Sequence, residues 1–143
     1  MTTMLDPILP VRGKLIAALK ADAPLAAIVG ARIYPAKVPA DVAWPFMRLD
    51  GASSIPFRGD GGSGGEVTGL IHNFVKAGDT TLDPEATCAT INSHVVRIIE
   101  AMDAVALTGD TEIGVFARLS QIIPDPAEAD AFHGFVRYEA LAL

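Results

Sequence analysis

The stretch DAPLAAIVGARIYP, residues 22–35, holds the signals of both a helix and a strand within fourteen residues. Asp22 predicts a helix N-terminus because its carboxylate can accept backbone N–H groups, and Pro24 is tolerated in the first helical turn. Gly30 predicts the end of this short helix, since glycine readily adopts a left-handed conformation. The segment 32–35 then predicts a short strand that stops at its proline. The stretch therefore predicts a switch from helix to sheet.

Outward from this stretch, the spacing of apolar residues predicts the remaining elements. One helix is expected at about residues 7–21. A longer helix is expected from Asp83 to Met102, with Asn92, Glu100 and Asp103 on its solvent side. Strands are expected at residues 32–34, 45–50, 66–76, 113–123 and 132–143.

The order of these elements predicts the fold class. No strand–helix–strand alternation repeats, which argues against a doubly wound parallel sheet. We expect an α+β fold in which two main helices pack on an antiparallel β-sheet. A chain of 143 residues is long enough for a core of its own, so residues 1–143 are expected to form a single domain.

The strand expected at residues 66–76 is apolar on both faces. Val67, Ile71 and Val75 lie on one face, and Leu70 and Phe74 lie on the other. Strands of this kind are usually covered on both sides. A neighbouring subunit could supply one of the two covers.

Composition and charge exclude several classes of function. The formal net charge is −6, and the eleven Lys and Arg residues are scattered, whereas a nucleic-acid binder concentrates basic residues on one face. No apolar run approaches the roughly 20 residues that cross a bilayer, and the first residues do not resemble a signal peptide. Cys88 is the only cysteine, so an intrachain disulfide is excluded and a reducing cytoplasm is expected.

No residue pattern predicts catalysis, a cofactor or a metal. The sequence GDGGSGG at 59–65 is followed by Glu66 and a strand rather than by the Lys-Ser or Lys-Thr of a phosphate-binding loop, so it predicts a long flexible hairpin tip. His72, His94 and His133 lack metal-ligand spacing and are interpreted as ordinary histidines. Cys88 lies on an apolar helix stripe and predicts a buried, inert thiol.

The segment 22–35 resembles the beginning of the phage tail-completion family, which occurs in long-tailed phages, prophages and phage-like gene transfer agents. In that family an N-terminal helix precedes a D-x-x-L-x-x-L-V-G-x-R-I-Y segment. A loop then leads to a strand with a Pro-aromatic pair, matched here by Trp44-Pro45-Phe46-Met47. A further strand, the helix from Glu85 to Met102 and a closing strand pair complete the resemblance.

The resemblance implies a tail terminator, similar in fold to that of phage lambda. It implies a homo-hexameric ring in the tail and neck of the virion that caps the tail tube, ends tube growth and joins the head-side connector or stopper protein. DNA would pass through the ring without specific binding, and no membrane partner or catalytic residue is implied. The protein would be made in the cytoplasm of the bacterial host.

Two other functions remain open at this point: another neck component, such as a connector or stopper, and a small α+β enzyme or ligand-binding domain with a site among His72, Cys88 and His94. For the tail terminator, the glycine-rich segment and the two-faced strand supply the candidate interface residues. They are Phe57, Arg58, Asp60, Gly61, Gly62, Glu66, Leu70 and Phe74.

Overall fold

The computed structural model of the chain describes residues 7–59, 62–78, 81–102, 105–106 and 112–142. Three helices and six strands are assigned within these ranges. In chain order they are α1 (Ile8–Ala21), α2 (Ala23–Val29), β1 (Ile33–Pro35), β2 (Phe46–Gly59), β3 (Gly62–Lys76), α3 (Pro84–Ala101), β4 (Val105–Ala106), β5 (Glu112–Pro124) and β6 (Ala131–Ala142).

The strands form one sheet in the order β1-β2-β3-β6-β5-β4. Every described pair is antiparallel except β1 with β2, which is parallel. The predicted α+β class and antiparallel sheet are thus confirmed. The parallel pairing of β1 with β2 and the short strand β4 were not predicted. The prediction that residues 1–143 form a single domain stays a prediction.

The switch at residues 22–35 has the geometry that its sequence predicts. Asp22 Oδ2 accepts a hydrogen bond from the backbone N–H of Leu25 at 3.1 Å, which caps α2. Gly30 ends the helix with φ of 60°, in the region that glycine adopts most easily. Strand β1 then pairs with β2 through Ile33 and Met47. The switch therefore carries the chain from the helices to one side of the sheet.

The core lies between the helices and one face of the sheet. Leu15 of α1, Leu25 of α2 and Ile91 of α3 are fully buried against the strands. On the sheet side, Met47 and Val136 are also fully buried. No helix in the described part of the chain is long and apolar enough to cross a membrane.

Asn92 corrects the predicted solvent side of the long helix. Its side chain is 2% exposed and lies under the sheet, where Asn73 Nδ2 donates to Asn92 Oδ1 at 2.7 Å. Asn92 Nδ2 in turn donates to the carbonyl of Gln121 at 3.2 Å. An amide can replace an apolar side chain at this position because its polar atoms find partners. Glu100 is exposed as predicted, and Asp103 lies outside the described residues.

The glycine-rich segment corrects another prediction. Gly59 is the last residue of β2, and Gly62–Gly65 belong to β3, so most of the predicted flexible tip is paired strand. Pairing needs only backbone N–H and C=O groups, which glycine retains. Gly65 still pairs with Ala142 of β6. The described residues nearer the turn, 57–59 of β2 and 62–64 of β3, pair only with each other. They form a two-stranded ribbon that extends past the sheet.

Candidate functional site

The face of the sheet that points away from the helices is the candidate site, and we call it the open face. Side chains alternate between the two faces of a strand, and the described helices all pack on the face that carries Met47 and Val136. The open face is built by the other residues of the four long strands. They include Phe46, Arg48, Asp50 and Ile55 of β2, Glu66, Leu70, His72 and Phe74 of β3, Phe116 and Leu119 of β5, and His133, Phe135 and Arg137 of β6.

An aromatic cluster covers one end of the open face. The rings of Phe46 and Phe74 are stacked, with centroids 4.9 Å apart, and the ring of His133 is stacked on Phe74 at 4.5 Å. Trp44, in the loop before β2, meets the ring of Phe46 edge-on at 5.1 Å. Lys76 Nζ lies 5.0 Å from the centroid of the Trp44 ring. The chain thus shields this end itself, and Phe46 is only 8% exposed.

A chain of hydrogen bonds crosses three strands beside this cluster. His72 Nε2 lies 2.5 Å from Asp50 Oδ1, and His72 Nδ1 lies 2.6 Å from His133 Nε2. A carboxylate only accepts hydrogen bonds, so His72 donates from Nε2 and His133 then donates to His72 Nδ1. Arg48 Nε is 3.1 Å from Asp50 Oδ2, an ion pair without hydrogen-bond alignment. These hydrogen-bonded side chains link β2, β3 and β6.

Burial favours the neutral form of both histidines in this hydrogen-bond network by lowering their pKa values. Burial lowers the pKa of His72, although Asp50 acts in the opposite direction. Burial also lowers the pKa of His133, and the neighbouring His72 lowers it further. A neutral pair is consistent with the hydrogen-bond directions above, in which each ring carries one N–H.

The arrangement has an orienting carboxylate and a histidine but no nucleophile. In hydrolases with such a pair, the histidine contacts a hydroxyl or thiol that it activates. No serine, threonine or cysteine of the described residues forms a hydrogen bond with His72 or His133. The described part of the chain also contains no group of three acidic, cysteine or histidine side chains that could hold a metal. The hydrogen-bond network of Asp50, His72 and His133 therefore acts as a connection between strands.

The three residues of the alternative enzyme site do not come together. Cys88 is fully buried on the helix side, where burial raises the pKa of its thiol to about 12. His72 is on the open face, and His94 Nδ1 lies 3.1 Å from Arg97 Nη2 on α3. The prediction that the Cys88 thiol is buried is therefore confirmed. Sequence reasoning treated the histidines as separate and missed the contact of His72 with His133.

The candidate interface residues occupy two places. Glu66, Leu70 and Phe74 lie on the open face and are half-buried. Phe57, Arg58 and Gly62 belong to the two-stranded ribbon. Asp60 and Gly61 lie outside the described residues. An interface role for this set stays a prediction.

Further along the open face, large apolar side chains are exposed that the sequence analysis did not select. Ile55 is 58% exposed, Phe116 44% and Leu119 47%. Apolar residues on both faces of β5 were the available signal, because a strand with a solvated face normally alternates apolar with polar residues. Solvent-exposed apolar side chains on one face indicate a surface that a partner could cover.

The chain resembles known proteins in sequence and in structure. The family described as "Tail completion protein gp17" matches residues 13–142. A chain from the virion of a native gene transfer agent particle is 21% identical, with a TM-score of 0.66 and 90% of both chains covered. The gp17 protein of bacteriophage SPP1 is 17% identical, with a TM-score of 0.61 over 99% of this chain and 96% of that one. No curated protein sequence matches the chain.

Proposed function

The chain belongs to the tail completion protein gp17 family, and from this premise we propose that it is a tail terminator. Membership makes it a structural protein of the virion tail of a phage or gene transfer agent. Our proposal adds that six copies form a ring at the end of the tail tube. The ring stops tube growth and joins the tail to the connector or stopper protein on the head side.

The family match over residues 13–142 is the observation that carries this proposal. The open face supports it independently, because Phe116 and Leu119 leave about half of their surfaces in solvent. Burying a fully exposed Phe or Leu side chain contributes roughly 1.5–3 kcal/mol, so covering the exposed half of each contributes about half of that. An interface with another copy or with the tail tube would supply that cover.

The charge of the chain fits a passage for DNA. A net charge of −6 gives the subunit the same sign as the DNA backbone, and like charges repel. A ring of such subunits would let DNA slide through without binding it specifically. We infer that the protein is not an enzyme, since no nucleophile among the described residues contacts His72 or His133.

The proposal is tested by removing the gene from its phage or gene transfer agent and supplying it again from a plasmid. Without the protein, we expect tubes of uncontrolled length and heads that do not join tails. The wild-type plasmid should restore tails of uniform length. Electron microscopy of the purified particles measures tube length and joining in the same sample.

Labelled protein in the restored particles locates the ring. A six-fold density at the end of the tube that faces the head supports the tail terminator. Tails of normal length in the absence of the protein contradict it. Tails of normal length that fail to join heads would instead favour a connector or stopper.

A further inference from the structure

Two stretches of strand edge have no partner among the described residues. Among the described residues, β4 pairs with β5 only at Glu112 and Ile113, so no described strand pairs with the outer edge of β5 from Gly114 to Pro124. On the opposite side of the sheet, β1 pairs with β2 only at Met47–Leu49. No described strand pairs with the outer edge of β2 from Gly51 to Gly59 either. Free edges present N–H and C=O groups that can pair with another strand.

The strand directions make these two edges complementary between copies. The pairs β2·β3, β3·β6 and β5·β6 are all antiparallel, so β5 runs opposite to β2. Rotation about an axis along the strands preserves strand direction. Each copy related in this way presents its β2 edge antiparallel to the β5 edge of its neighbour. Repeating such a head-to-tail contact closes a ring when the angle between neighbouring copies is a whole-number fraction of a full turn.

The exposed apolar side chains lie at these same edges. Of the five large apolar side chains that are exposed in the described residues, Ile55 is on β2, and Phe116 and Leu119 are on β5. Ile55 pairs with Glu66, and Phe116 pairs with Glu139, which puts both on the open face. Joining the two edges would therefore place apolar side chains next to one another on one face.

Among the described residues, the helix side of the β5 edge leaves space for an added strand. A shallow depression of about 440 Å³ lies between the end of α3 and β5, lined in part by Ile99, Met102 and Val115. Strand residues alternate between faces, so Ser54 and Pro56 of β2 would point toward this depression. Both side chains are short, and they would fit beside the end of the helix.

We propose that residues 51–56 of β2 in one copy pair antiparallel with residues 115–120 of β5 in the next copy. The contact joins the sheets of neighbouring subunits, with Ile55 against Phe116 on the open face. This inference rests on the proposed ring and names the strands that form its subunit interface. The ladder is short, because β2 has a register shift between Asp50 and Ser53, Pro56 has no N–H, and β5 has a register shift between Ala117 and Leu119.

Paired cysteines in assembled particles test the proposal. Ile55→Cys combined with Phe116→Cys should give disulfide-linked multimers on a non-reducing gel, and Ile55→Cys with Leu119→Cys tests the neighbouring register. The matched control is Leu9→Cys with Phe116→Cys, because Leu9 on α1 is 63% exposed. The buried Cys88 is present in every variant and cancels in the comparison.

The expected result is that most chains of an Ile55 pair migrate as dimers and larger multiples, while the Leu9 control stays monomeric. A six-fold ring in the particles without cross-links from either Ile55 pair overturns the strand contact and leaves the tail terminator intact. Equal cross-linking of the control also overturns the contact. Particles that hold a single copy of the chain at the neck overturn both proposals.

Charge substitutions give a second readout that does not depend on disulfide geometry. Phe116→Lys should prevent ring formation, whereas Leu9→Lys should not. Leu9 is largely exposed and Phe116 is about half exposed, so urea unfolding of the free subunit should change little for either variant, and this measurement excludes misfolding as the cause. A Phe116→Lys protein that still forms rings in restored particles overturns the proposed contact.

Discussion

The phenol oxygen of Tyr138 occupies the space that a side chain at position 69 would need. A Cβ atom on Gly69 would lie 2.5 Å from Tyr138 Cζ and closer still to Oη. The two residues are partners across the β3·β6 ladder, and Tyr138 is only 1% exposed. The absence of a side chain at residue 69 therefore allows the largest fully buried side chain of the described core to fit beneath the sheet.

Gly69→Ala should destabilise the protein by about 1–3 kcal/mol, because the added methyl group displaces a ring that is packed on all sides. Urea unfolding measures the change. Gly78→Ala is the control, since a Cβ atom there meets nothing within 4 Å. Equal stability of the two variants would contradict the packing argument. Partial recovery in Gly69→Ala with Tyr138→Leu would identify the ring as the obstacle.

Asn92→Ala should cost about 1–3 kcal/mol, because it leaves the buried amide of Asn73 without its partner. The free energy of unfolding in urea measures this loss. Asn73→Ala is the reciprocal variant, and the double variant should cost clearly less than the two single losses together. Strictly additive losses would mean that the two amides do not interact.

The free energy of unfolding should fall as the pH falls through about 6.5, the ordinary pKa of histidine. The pKa values of His72 and His133 are lowered in the folded protein, so the unfolded chain binds more protons over this range. The charged groups around the pair include Arg48, Asp50 and Asp125, and Asp50 opposes the effect. Urea unfolding at a series of pH values down to about 5.5 measures the slope.

His133→Phe should make that slope shallower, because it removes one of the two bases while keeping an aromatic ring in the stack with Phe74. Replacing both histidines by phenylalanine should reduce it further. A slope unchanged in both variants would assign the pH dependence to other groups.

Asp22→Ala should destabilise the protein by about 1 kcal/mol through the loss of the α2 cap. Asp22 Oδ2 also accepts a hydrogen bond from Arg97 Nη2 at 2.8 Å, which ties α2 to α3 and lowers the pKa of Asp22. The Arg97 side chain is 49% exposed, so Arg97→Ala should cost less. Thermal unfolding of both variants compares their losses of stability. A larger loss of stability for Arg97→Ala than for Asp22→Ala would contradict this prediction.

Local features of the sequence predicted those parts of the fold that local physics decides. Asp22 and Gly30 have strong conformational roles within a few residues, and both act as predicted. The stripe of α3 was predicted from its spacing, except at Asn92. A polar amide side chain such as that of Asn92 predicts solvent exposure. Its burial depends on a hydrogen bond with Asn73, which is distant in the sequence.

The candidate site depended on contacts between distant residues and was harder to predict. His72 and His133 are 61 residues apart in the chain, and their contact follows from the register of β3 with β6. The glycine-rich segment predicts a flexible hairpin tip because glycine has high backbone entropy and no side chain to pack, but pairing of Gly59 with Gly62 continues the ladder. The open face could be anticipated from the two apolar faces of the strand at 66–76.

The short outer strands β1 and β4 bear on how readily the free subunit aggregates at high concentration. Among the described residues they pair with three residues of β2 and two residues of β5, and the longer edges that remain are interrupted at Pro56 and between Ala117 and Leu119. Such interruptions oppose the indefinite growth of aggregated sheets. A host cell could therefore accumulate this chain before tails are present, and mass action would favour assembly only once the growing tube gathers several copies at one place.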